Sequence, residues 1–100
     1  MNDVSKKMKF EVATDLKNPT NLYSVEIDLE KEVDSYTREA AISLAGAVVR
    51  NNFKNVYGRI MNSQEMAEVI REKINSWLPI DYNLVNRVVL SPVKNKTKSA

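Results

Sequence analysis

The chain contains no cysteine and no histidine, only two glycines and three prolines, and a single tryptophan in its 100 residues. Without cysteine there are no disulfides, no thiolate nucleophile and no thiolate metal site, and the composition fits a reducing compartment. Without histidine the commonest general base, metal ligand and triad member is missing as well. The lone glycines, Gly46 and Gly58, are too few and too far apart for a phosphate-binding loop or a dinucleotide fingerprint. No catalytic residue, cofactor or metal is therefore expected, and a non-enzymatic role follows. There is also no apolar run near the N-terminus, so neither a signal peptide nor a membrane-spanning helix is expected, and cytoplasmic residence is the default.

What remains is an ordinary globular composition, 43% hydrophobic and 28% charged with a net charge of +2. A chain of this size builds one core. We expect a single α+β domain over residues 8–93, preceded by a flexible segment 1–7 and followed by a flexible basic tail 94–100. The charges are unevenly spread: Lys6, Lys7 and Lys9 lie at one end and Lys94, Lys96 and Lys98 at the other, with Glu26, Asp28, Glu30, Glu32 and Asp34 between them.

Met8, Phe10 and Val12 alternate with charged residues, as in a half-buried strand, and Tyr23, Val25, Ile27 and Leu29 do the same. The turn-rich stretch between them, with Pro19, makes an antiparallel hairpin. Placing Phe10 opposite Ile27 and Val12 opposite Val25 sets Lys9 against Asp28 and Lys7 against Glu30 on the wet side. A slip of one residue would put apolar side chains opposite charges, whereas a slip of two keeps both faces intact.

Asp34 or Ser35 is placed to cap a first helix. Ala40, Ala41, Leu44, Ala45, Val48 and Val49 recur at helical spacing, Ile42 and Phe53 widen the stripe, and Gly58 suits the left-handed position that ends it. Asn62 and Glu65 form a capping-box pattern for a second helix, whose face Met66, Ile70, Ile74, Trp77 and Leu78 is expected in the core, with Pro79 as its stop. After a turn at Asp81, Tyr82 and Asn83, the run Leu84 to Leu90 is apolar at both parities, as in a strand that is central or covered by a partner, and Pro92 ends it. The expected order is β-β-α-α-β, with two helices on one face of a three-stranded sheet and the acidic row on the other.

The acidic row Glu26, Asp28 and Glu30 spaces its carboxylates about 6–7 Å apart, too far for compact cation coordination. It reads as a solvated, cross-paired face or as a docking surface for a basic protein partner. The mixture Arg50, Asn52, Lys54, Tyr57 and Arg59 offers cations, amides and an aromatic for contact with nucleic acid, or simply suits an exposed helix end.

The run from Ala40 through Val93, with its helix AAISLAGAVVRNNF, the segment AEVIREKINSWLP and the strand YNLVNRVVLSPV, resembles the stomatin/prohibitin/flotillin (SPFH) domain and is similar to the flagellar FliL domain. Arg50, Ile70, Ile74, Val85 and Val88 carry the match. The resemblance implies a non-catalytic domain that assembles side by side, usually at a membrane. The chain itself shows no segment suited to direct membrane insertion. Two roles are therefore expected in rank order. The first is a protein-binding scaffold module that forms homo-oligomers, since three strands leave open edges, with Val85, Val89, Ile42 and Phe53 at the interface. The second is a small nucleic-acid-binding protein using Arg50, Asn52, Lys54, Tyr57 and Arg59 with help from the lysine tail.

Overall fold

A computed structural model describes residues 6–15, 17, 21–77 and 84–93. The turn at Asp81 to Asn83, Pro79, the tail lysines Lys94, Lys96 and Lys98, and most of the N-terminal segment lie outside these. Alternating residues form β1 (Lys7–Ala13) and β2 (Leu22–Leu29), followed by the helices α1 (Ser35–Phe53) and α2 (Ser63–Trp77) and by β3 (Val85–Pro92). The sheet is antiparallel in the order β1-β2-β3, so the fold is α+β with the order expected from the sequence.

The hairpin parity is as expected, but its register is shifted by two residues. Phe10 lies opposite Val25, Met8 opposite Ile27 and Val12 opposite Tyr23. The shift pairs Ala13 with Leu22, and the Thr14 N–H donates to the Asn21 carbonyl at 3.0 Å, closing the loop one pair further on. Met8, Val12, Val25, Ile27 and Leu29 remain buried in this register. On the wet face Lys7 now reaches two carboxylates, Glu26 at 3.2 Å and Asp28 at 3.5 Å. The first of these, and then Asp28, raises the Lys7 pKa above its ordinary value.

Helix α1 starts at Asp34, whose Oδ1 accepts from the Thr37 N–H at 2.9 Å. It stops at Phe53, before Gly58. Asn55 takes the left-handed conformation (φ 58°) that was expected of the glycine, and its N–H donates to Asn52 O while Val56 N–H donates to Asn51 O. These two bonds form a Schellman motif, with asparagine tolerating the conformation through its short polar side chain. Helix α2 carries the expected capping box: Asn62 Oδ1 accepts from Glu65 N–H (2.8 Å) and Glu65 Oε1 accepts from Asn62 N–H (3.1 Å).

Both helices lie on one face of the sheet, α1 over β1 and α2 over β3, and pack against each other. Ala41, Ala45, Val48 and Val49 from α1 and Met66, Ile70 and Ile74 from α2 close the core over Val25, Ile27 and Val85. Trp77 does not join them. It ends α2 40% exposed, with its ring centroid 5.9 Å from that of Tyr36 in the first turn of α1.

The two-parity strand has a local explanation. Strand β3 is an edge, not a centre, and a β-bulge interrupts its pairing with β2: Asp28 faces Arg87, but Leu29 faces Val85. The extra residue, Asn86, changes which parity points inward. Val85 is buried before it, and Val88 and Leu90 face the core after it.

Candidate functional site

The residues expected to matter fall into three places. Val85 is a core residue, 2% exposed, and so is withdrawn from any interface. Its side chain fills the space under α2, and both of its backbone polar groups are bonded to the Asn75 side chain. Val89 stands on the outer face of the sheet opposite Glu26. On that same face the acidic residues are already engaged. Glu26 and Asp28 share Lys7, and Glu30 Oε1 accepts from Asn86 Nδ2 at 3.1 Å. Among the described residues no group of acidic side chains is placed to hold a metal ion.

The β3 edge of the sheet is partly closed. The Val93 N–H bonds to Leu22 O, and the alternation of an antiparallel ladder then turns the backbone groups of Val88, Leu90 and Pro92 outward from β3. Pro92 has no N–H to offer, and Val85 at the other end is capped by Asn75, so the open part of this edge is the short stretch at Val88 and Leu90.

The second place is the connection between the helices. Phe53, Val56 and Ile60 are 52%, 62% and 63% exposed, and Tyr57 is partly so. The segment is nevertheless tied down. The Schellman bonds fix its start, and the buried Asn52 amide grips Met61, accepting from its N–H at 2.6 Å and donating to its carbonyl at 3.2 Å. Arg59 forms a two-pronged pair with Glu65 (3.0 and 2.7 Å). That guanidinium, and then the Asn62 N–H, hold the Glu65 carboxyl below its usual range. Ile42, about three turns before Phe53 on the same side of α1, is also exposed.

The third place concerns the proposed nucleic-acid contacts, which the structure separates. Asn52 faces inward and spends both ends of its amide on Met61, so it is no surface contact. Arg59 is bound to Glu65, and Tyr57 belongs to the apolar connection. Arg50 and Lys54 remain, and they line a cleft of 450 Å³ together with Thr14, Asp15 and Lys17 from the β1–β2 loop.

Val56, Ile60, Thr14 and Lys17 were not singled out in the sequence. Val56 and Ile60 did leave a signal, since they are large apolar residues in a stretch with neither helical nor strand periodicity. Lys17 left none, because only the tertiary fold sets it beside Arg50. Compared with protein-family models, curated proteins and solved structures, the chain matches none. Among the described residues no helix is long and apolar enough to cross a membrane.

Proposed function

We propose that this protein is a non-catalytic protein-binding module that self-associates through the connection between its helices. The observation that carries this reading is the pairing of order with exposure. A loose loop with apolar side chains would signify little, but here hydrogen bonds at both ends hold Phe53, Val56 and Ile60 outward. An apolar surface held in place loses little conformational entropy on docking, which favours binding through it. Clustered apolar exposure of this kind marks interaction surfaces in general, and Ile42 is a separate exposed apolar residue about three turns back along α1. Side-by-side assembly is also what the resemblance to SPFH domains implies.

Light scattering or sedimentation velocity across a concentration series tests it. We expect a mass that rises with concentration and persists at high salt, because apolar contact is not screened. The double variant Val56→Ser, Ile60→Ser, which alters only exposed positions, should remain folded and shift to the monomer. A chain that stays monomeric at all concentrations, or a variant that assembles as well as the parent, overturns the proposal.

A further inference from the structure

Among the described residues, the cleft between the β1–β2 loop and the end of α1 holds three cations, Lys17, Arg50 and Lys54, against one carboxylate, Asp15. Asp15 is partly occupied with its own loop, since its Oδ1 accepts from the Lys17 N–H at 3.0 Å. Among the described residues none of the three cations is paired with a carboxylate. Arg50 and Lys54 do sit at the negative end of α1, but that end amounts to only about half a charge. The positive excess is left for something else.

Two further features belong to the same place. The Arg50 guanidinium lies back across Gly46, where a Cβ would come within 3.0 Å of Nη1 and 3.1 Å of Nη2. The missing side chain at Gly46 thus leaves room for the planar group to lie back along the helix. Thr14, which lines the cleft, is 6% exposed, and among the described residues its buried hydroxyl has no hydrogen-bond partner. A buried hydroxyl without a partner is costly, and an acceptor beside it removes that cost. A flat guanidinium, two ammonium groups and a hydroxyl are the donors that suit a tetrahedral oxyanion.

We propose that this cleft binds a phosphate group carried by a small phosphorylated molecule. A single seat fits better than a nucleic-acid track. Arg59 is engaged with Glu65, Asn52 faces inward, and the whole chain carries a net charge of only +2, so among the described residues no row of cations continues from the cleft. The volume of 450 Å³ is that of a small-molecule site. The inference stands on residues apart from the apolar connection and does not depend on self-association.

The test is amide and arginine side-chain NMR of the full chain titrated with inorganic phosphate, with ionic strength held constant by chloride. Saturable shifts at Thr14, Lys17, Arg50 and Lys54 are expected. Arg50→Gln should weaken binding by about tenfold, the usual scale of a lost charge-assisted bond. Gly46→Ala leaves every charge in place and should also weaken it, by displacing the guanidinium. If Arg50→Gln does not fold, Gly46→Ala and Lys54→Gln decide the matter. Equal shifts in chloride alone, shifts that never saturate, or undiminished binding in these variants overturn the proposal. So does a short single-stranded oligonucleotide that binds far more tightly than phosphate and spreads its shifts to Tyr57 and Arg59.

Discussion

The side-chain amide of Asn75 is bonded at both ends to the backbone of Val85, its Oδ1 accepting from the N–H at 2.9 Å and its Nδ2 donating to the carbonyl at 3.3 Å. The amide stands where a neighbouring strand would stand, so α2 serves as the missing partner for the first residue of β3. It also fixes where the bulge falls, because Val85 turns these groups away from β2 while Leu84 O accepts from Glu30 N–H at 2.7 Å. Asn75→Ala should therefore cost about 2–5 kcal/mol, since it leaves a buried donor and a buried acceptor unsatisfied. Denaturation midpoints measure the loss, and hydrogen exchange at the Val85 amide locates it. A cost below about 1 kcal/mol would mean that water replaces the amide freely.

Ile70 and Ile74 are fully enclosed between α2 and the sheet. Truncation of either to alanine removes buried methylene groups from a site with little room to collapse. We expect about 2–5 kcal/mol for each substitution, a large share of the roughly 5–15 kcal/mol available to a domain. Urea unfolding of the two variants checks this, and the effects should not add fully, because the residues lie one turn apart and share neighbours.

Periodicity made the elements legible, and local capping chemistry made their starts legible. Asp34 and the Asn62–Glu65 box behave as their side chains dictate. Long-range choices were not legible. A shift of two residues in the hairpin preserves every inward and outward assignment, so nothing in the alternation distinguishes Val25 from Ile27 as the partner of Phe10. The end of α1 was not legible because two nearby residues take positive φ, Asn55 (58°) and Gly58 (87°), and it is the first of them that closes the helix. The apolar residues of both parities in β3 suggested a covered strand, where a bulge at Asn86 gives the same pattern on an edge. The cleft was half legible: Arg50 and Lys54 are neighbours on a helix, but Thr14 and Lys17 join them only through the fold.

Gly46 lies within α1, where glycine is intrinsically poor, so Gly46→Ala should raise stability by up to about 1 kcal/mol. The new methyl group meets only the far end of Arg50, a flexible side chain that can swing aside. Thermal unfolding of this variant should give a midpoint equal to or above that of the parent. A clear drop would show that the Arg50 guanidinium is held more firmly than its contacts imply.

Acid should loosen the starts of both helices. The Asp34 carboxyl is held below its ordinary range by the Thr37 N–H, and that of Glu65 by Arg59 and then by the Asn62 N–H. For a carboxyl whose folded pKa is depressed, the unfolded chain takes up the proton first. Its contribution to stability is therefore complete above the unfolded value and is lost as pH falls through the folded one. Both groups are exposed, so solvent and salt temper the effect. Unfolding midpoints recorded from neutral pH down through the carboxylate range should fall, and the fall should be shallower in Glu65→Gln, which keeps an acceptor for the Asn62 N–H but no longer titrates. Asp34→Asn should act in the same way at α1. If neither variant changes the slope, the acid response belongs to other carboxylates and these two caps are indifferent to their charge.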